Sequence, residues 1–257
     1  LLLCTGLIPK SVGRMKGDVE IFGHNTKRAS LSLLGKLSRI VFPSAVQGLI
    51  GLTVEGELEF SLRSSELTPE ARQQSMGNAL EVVGLDSSFL PRLTLALSGG
   101  EMQRVALASA IISQPLLLTL DDVTVQLDPV GKREVISALQ GLLGGQITTI
   151  ITDPYVELLT DVGHRFISLE EGKIIGDTPV LDAATIEKAS LRVPQMMRLG
   201  QLLGIQIPMK VDEALQTLQA HLKGSPPEYS LAATKSAPEI VRAENLIYTY
   251  PNGPTAI

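Results

Sequence analysis

The sequence is poor in the residues that build disulfides, metal centres and aromatic clusters. One cysteine, no tryptophan and three histidines occur in 257 residues, and aromatics make up 4%. Cys4 has no partner for an intrachain disulfide, which fits a reducing compartment; within its apolar run it reads as a small buried residue. His24, His164 and His221 stand apart from one another, and lone histidines read as solvated surface groups. Positive charge is also short. The 22 Lys and Arg against 27 Asp and Glu leave a net charge of −5, which removes the uniform basic field of a dedicated nucleic-acid binder, so no nucleic-acid partner is expected. Long apolar runs are missing as well: none approaches the roughly 18 residues that cross a bilayer, so any membrane role must come through a partner. The opening Leu1-Leu2-Leu3-Cys4-Thr5-Gly6-Leu7-Ile8 lacks a Met and a basic leader, which makes it a poor signal peptide. It reads as the middle of a helix.

What is present is an apolar chain, 44% hydrophobic and 19% charged, large enough for one α/β core plus extra material. Gly17 to Gly23 reads as a short strand between glycines, and Ser38 to Phe42 as a second strand stopped by Pro43. Residues 54 to 113 are mostly helical in pattern. A strand over Leu116 to Leu120 leads to Asp121-Asp122, a helix over Lys132 to Leu143 ends at Gly144-Gly145, and a β-rich run covers Gln146 to Asp153. Apolar strands on both sides of a helix imply a parallel sheet covered on both faces, with ligands at the carboxyl ends of its strands. Asp121, Asp122 and Asp153 all fall there. Residues 182 to 222 carry helical periodicity, 224 to 238 form a Ser/Pro/Ala-rich linker, and Glu239 to Tyr250 looks like a strand opening a new domain. The sequence thus reads as a fragment at both ends.

Two stretches carry chemistry. Strand Leu116 to Leu120 runs into two adjacent carboxylates, an arrangement suited to Mg²⁺. In Leu97-Ser98-Gly99-Gly100-Glu101-Met102-Gln103-Arg104, Ser98 and Glu101 have the spacing of a capping box. A cap does not account for the glycines, each of which forgoes about 1 kcal/mol against Ala in a helix. Bare backbone N–H groups at a helix start suit a phosphate.

Leu97 to Gln103 resembles the signature motif of ATP-binding cassette (ABC) ATPases. Leu116 to Asp122 resembles their Walker B strand, and Leu127-Asp128 their D-loop, in the family's order and spacing. With Pro115 and the final strand at Gly172-Lys173-Ile174-Ile175 the set is highly specific. The resemblance implies an α/β P-loop NTPase with a mostly parallel sheet and a helical signature subdomain, truncated before the sheet is complete. Residues 1–180 would be the ATPase domain without its N-terminal part and Walker A, 181–223 a helical appendix, 224–238 a linker and 239–257 the start of a second ATPase domain. Implied cofactors are ATP and Mg²⁺. Ser98, Gly99, Gly100, Glu101 and Asp128 would meet nucleotide, Tyr250 would stack on adenine, and Asp121 would hold Mg²⁺ through water. Asp128 before Pro129 also reads as a helix N-cap, and the two roles are compatible.

Three further stretches resemble the energy-coupling factor group of cobalt, nickel and vitamin importers: Gly6-Leu7-Ile8-Pro9, Thr53 to Phe60, and Leu191-Arg192-Val193-Pro194-Gln195. That resemblance implies a tandem protein whose partners are a second cassette, a transmembrane coupling subunit and a substrate-binding membrane subunit, placed peripherally at the cytoplasmic face of the membrane. The loop from Ser44 to Val54 would meet the membrane subunit, or else Leu49, Ile50 and Leu52 would fold into the core.

The family's catalytic positions are altered. Asp122 stands where the family has a Glu that orients the attacking water, and a shift of about 1 Å in a positioned group can cost on the order of 10²-fold in rate. Val123 replaces a Pro, Pro43 stands where a Gln senses Mg²⁺, with Gln47 out of register, and Asp153 stands where a His contacts the γ-phosphate. No Gly-x-x-x-x-Gly-Lys-Ser/Thr loop occurs in the 257 residues. The expectation is a cassette with degenerate catalytic positions that lends its signature to a partner cassette. The rival readings are a cassette ATPase of DNA repair or translation, and a regulatory nucleotide-binding half without turnover.

Overall fold

The computed structural model describes residues 1–11, 13–143, 147–208 and 211–222. The expected linker, the expected second-domain start and Tyr250 lie outside the described residues.

The opening departs from the continuous helix read in the sequence. It is a run of turns ending in one helical turn, α1 (Leu7–Lys10), with Gly6 at φ 74 and Ile8 at φ −100, ψ 131. Ile8 precedes a proline, which pushes it out of the helical region. Gly6 takes the left-handed conformation that favours glycine, and a Cβ there would sit 2.3 Å from Leu34 Cδ1, so Leu34 would have to shift. Cys4 packs beside Ile21, Leu34 and Leu117, as a small half-buried apolar group.

Strands β1 (Glu20–Ile21) and β2 (His24–Asn25) form a hairpin turned by Phe22 and Gly23, both at positive φ. Helix α2 (Leu31–Leu37), capped by Ser30, passes directly into β3 (Ser38–Val41). A 3₁₀ turn, Ala45–Gln47, precedes the helical segment α3 (Val54–Leu62), α4 (Pro69–Val82) and α5 (Gly99–Ile111). Thr53 caps α3, while Thr68 with Pro69 in the first turn starts α4. Next come β4 (Leu117–Asp121), α6 (Pro129–Leu143), β5 (Thr148–Thr152) and α7 (Val156–Val162). Helix α6 starts three residues before the Lys132 expected from its apolar pattern, because Asp128 caps it: Asp128 Oδ1 accepts the Gly131 N–H at 2.7 Å.

Strands β3, β4 and β5 form a parallel sheet in that order, with β4 central. Ser38 lies opposite Leu117, and Asp121 opposite Thr152. The register brings the C-terminal ends of β4 and β5 to one edge. Leu118 and Leu120 of β4, Leu58 of α3, Leu80 of α4, Val105 and Ala108 of α5 and Leu139 of α6 pack into one buried cluster.

The expectation of a sheet covered on both faces holds for β4 and fails for β5. Strand β5 alternates between exposed and half-buried residues, and β4 is its sole partner among the described strands. Its free edge faces β6 (Phe166–Glu170) across a cavity of about 440 Å³ lined by Thr149, Ile151, Phe166, Ile167 and Leu181. Strand β6 pairs instead with β7 (Lys173–Thr178) in an antiparallel hairpin, turned by Glu171 and Gly172 at positive φ. Helices α8 (Ala183–Lys188), α9 (Gln195–Leu203) and α10 (Val211–His221) follow. A small second core joins Val156, Ala183, Ile186 and Val193, with Leu181 and Met197 against it.

Candidate functional site

The site lies at the C-terminal ends of β4 and β5. Asp121 closes β4, and its Oδ1 accepts a hydrogen bond from Thr152 Oγ1 at 2.7 Å. Asp122 donates its backbone N–H to the Thr152 carbonyl at 2.9 Å and takes φ 48, a left-handed conformation that Asp tolerates better than most side chains. Burial, then the charges of Asp121 and Asp153, pushes the Asp122 carboxyl above the ordinary carboxylate range.

From Asp122 the chain makes a tight turn. Val125 N–H donates to the Asp122 carbonyl at 3.2 Å and Leu127 N–H to the Thr124 carbonyl at 3.1 Å, before Asp128 caps α6. Thr124 is fully buried, and its Oγ1 donates to Asp153 Oδ2 at 2.6 Å. The other oxygen of Asp153 accepts the Tyr155 N–H at 2.9 Å. Asp153 is thus 7% exposed with both oxygens engaged inside the protein. Its carboxylate does not reach out from the strand end as expected of a group in the place of a phosphate-contacting His.

The start of α5 stands beside this turn. Ser98 and Glu101 form the expected reciprocal cap: Ser98 Oγ accepts the Glu101 N–H at 3.3 Å, and Glu101 Oε2 accepts the Ser98 N–H at 2.8 Å. Glu101 also lies 3.6 Å from the Arg92 guanidinium. Ser98 and Gly99 are exposed. A Cβ on Gly99 would find Gln126 Oε1 at 3.9 Å, and one on Gly100 would find Leu127 Cδ2 at 3.5 Å, both ordinary contacts. The chain's own packing therefore does not require glycine at either position. What the glycines leave open is the approach to the N-terminal N–H groups of a 13-residue helix.

The structure thus brings Ser98, Gly99 and Gly100 next to the turn that carries Asp121, Asp122 and Asp128. Pro43 and Gln47 supply nothing to the site: Gln47 is exposed in its 3₁₀ turn. His24, His164 and His221 are exposed.

Three buried groups escaped sequence reasoning, because their partners are distant in the chain. Glu57, 3% exposed, accepts the Ile50 and Gly51 N–H groups on Oε2 at 2.7 and 2.8 Å, and Ser109 Oγ on Oε1 at 2.7 Å. Gln103 Nε2 donates to the Phe42 carbonyl at 2.9 Å, tying α5 to the end of β3. Thr124 is the third. The apolar loop over Ser44 to Val54 is divided: Leu49 packs against the core, while Ile50 and Leu52 are exposed, Leu52 at 80%. Leu93 and Leu95 are exposed nearby, with Leu93 opposite Thr53 in an isolated bridge.

Among the described residues no three His, Cys, Asp or Glu are grouped to hold a metal ion. One carboxylate with a free oxygen, Asp121, still fits Mg²⁺, which binds through one or two carboxylates together with waters and substrate phosphates. The arrangement suits a cation that arrives with a nucleotide. No helix among the described residues is long and apolar enough to cross a membrane.

Comparison with known proteins agrees with this geometry. Residues 3–125 match the ABC transporter family. The chain is 30% identical over 220 residues to a putative ABC transporter ATP-binding protein of Methanosarcina mazei, covering 83% of this chain and 38% of that protein. It therefore spans well under half the length of that relative. It is 31% identical to the energy-coupling factor transporter ATP-binding protein EcfA of Methanococcus maripaludis, covering 81% of this chain and 79% of the relative. The structure of cbiO1 from Clostridium perfringens, part of the ABC transporter complex cbiONQ, has the same fold, with a TM-score of 0.59, 24% identity, and coverage of 79% of this chain and 81% of that one. Read with the exposed Ser98-Gly99-Gly100 helix start and the carboxylates of β4, this places the chain among the ATP-binding proteins of ABC transporters.

Proposed function

We propose that the chain is one cassette of a tandem ATPase that powers an energy-coupling-factor-type importer, and that it serves mainly to complete the partner cassette's site. The observation that carries this reading is the exposed, glycine-opened start of α5 beside the Asp121–Asp128 turn. That face can present N–H groups to a phosphate held by a second cassette. Asp121 would anchor Mg²⁺ carried by ATP. Asp122 is the shorter carboxylate and Asp153 is turned inward, which supports weak chemistry on this cassette's own side.

The exposed Ile50, Leu52, Leu93 and Leu95 support docking of a transmembrane coupling subunit, which would in turn contact a substrate-binding membrane subunit. Such an assembly places the protein at the cytoplasmic face of the membrane. We assign the missing phosphate-binding loop to a strand outside these 257 residues, and the free edge of β5 opposite β6 supports its addition there. A regulatory half without turnover is the second reading, favoured by the internal bonding of Asp153.

Two substitutions in the longer tandem protein test the proposal. Ser98→Arg puts bulk and charge on the α5 start and is expected to abolish most ATP turnover. Asp122→Asn alters a site of little activity and is expected to lower turnover by less than about tenfold, or about 1.4 kcal/mol in barrier. Equal damage from both would make Asp122 a working base and overturn the reading.

A further inference from the structure

We propose that Asp153 is a positioning residue whose buried carboxylate locks the Asp122–Asp128 turn onto the end of β5 through Thr124. The inference deepens the proposed function and rests on it only for its catalytic consequence.

Side-chain and backbone hydrogen bonds stitch the two strand ends together. Thr152 Oγ1 reaches Asp121, the Asp122 N–H reaches the Thr152 carbonyl, and Thr124 Oγ1 reaches Asp153. The first two hold the turn only at its entrance. Among the described residues, the Thr124–Asp153 contact is the sole hydrogen bond from the β5 end to the turn beyond Asp122. Thr124 Oγ1 is enclosed, so its hydroxyl depends on this acceptor. Asp153 is in turn fixed by the Tyr155 N–H at 2.9 Å, which aims Oδ2 at the turn. Asp122 needs such support, because a non-glycine residue at φ 48 persists where the surroundings over-determine it. Val123, 2% exposed, packs into the main core.

Locking can be separated from charge. Asp153→Asn keeps an oxygen for the Tyr155 N–H and offers Nδ2 as donor to Thr124 Oγ1, so a reversed bond preserves the lock without the carboxylate. Asp153→Ala removes both bonds. Thr124→Val and Thr124→Ser ask the same question from the partner side. Amide hydrogen exchange on the full chain, which needs no nucleotide, is the first measurement. Asp153→Ala and Thr124→Val are each expected to speed exchange at Val125 and Leu127 by about tenfold, with the amides of β3 and β4 little changed. Asp153→Asn and Thr124→Ser are expected to restore slow exchange. Unchanged exchange at Val125 and Leu127, equal acceleration across the whole sheet, or failure of both conservative variants overturns the lock. Should Asp153→Ala not fold, the two Thr124 variants decide.

ATP turnover by the longer tandem protein is the second measurement. Because the turn packs against the α5 start that serves the partner cassette's site, a fall in kcat with KM unchanged is expected for Asp153→Ala, recovered in Asp153→Asn. A raised KM that Asn does not recover overturns the proposal, since it would put the carboxylate on the nucleotide itself. A wild-type tandem protein that does not bind nucleotide would refute the proposed function and leave the lock to be judged by exchange.

Discussion

Glu57 shows how a single buried carboxylate can organise a loop. Its three hydrogen bonds close the Gly48–Leu52 segment onto α3 and α5, and Gly51 approaches so closely that a Cβ there would lie 2.3 Å from the Glu57 backbone nitrogen. Glu57→Ala leaves two backbone donors and a hydroxyl without their acceptor, and is expected to destabilise the chain by about 3 kcal/mol. Glu57→Gln can turn its oxygen to the two amides and its nitrogen to Ser109, so its cost is expected to be nearer 1 kcal/mol, on the scale of one hydrogen bond. Midpoints of urea unfolding would show both; equal midpoints for the two variants would argue against this assignment. The sequence displayed Glu57 within Thr53 to Phe60 but could not show its role, because Ser109 is 52 positions away. Asp153 was legible as a carboxylate at a strand end for the same local reason, and its inward turn toward Thr124 was not. A side chain's reach across the fold is a tertiary fact that local pattern does not encode.

Elements were more readable than contacts wherever local chemistry and burial agreed. Strand β4 is buried until its terminal carboxylate, and α5 begins with a reciprocal cap, so both agree with the sequence reading nearly in full. At the opening residues apolarity predicts a helix, while Gly6 and the residue before the proline refuse one. Ser98→Ala removes the α5 cap and is expected to cost about 1 kcal/mol, visible as a lower melting temperature. Helix α8 offers a pH test of the same physics. Asp182 caps it, and the Thr185 N–H holds its carboxyl below the ordinary value of 3.8. A folded value lower than the unfolded one stabilises the protein above 3.8, and the gain is lost as pH falls through the folded value. Asp182→Ala is therefore expected to melt below wild type at neutral pH, with the gap closing as pH drops beneath the carboxylate range. A gap that stays constant with pH would show that the ionised carboxylate does not carry the cap.

At the scale of the whole molecule, the proposed site supplies only part of the contacts that a nucleotide needs. In the proposed site the α5 start would be a single anion site, worth about 0.3–1 kcal/mol when exposed, and Asp121 would supply one carboxylate to a cation. The 257 residues contain no Gly-x-x-x-x-Gly-Lys-Ser/Thr loop, the element whose N–H groups and Lys hold the phosphates of a nucleoside triphosphate. A dissociation constant of 1 μM needs about 8 kcal/mol of binding free energy and one of 1 mM about 4. The contacts available fall below the lower figure before the cost of immobilising the ligand is counted. The chain on its own is therefore expected to show no measurable ATPase activity and to bind Mg-ATP more weakly than about 1 mM. Isothermal titration calorimetry would test this directly. Heat that saturates in the micromolar range would mean that a phosphate site exists within these residues, and that the role proposed for a second cassette must be withdrawn.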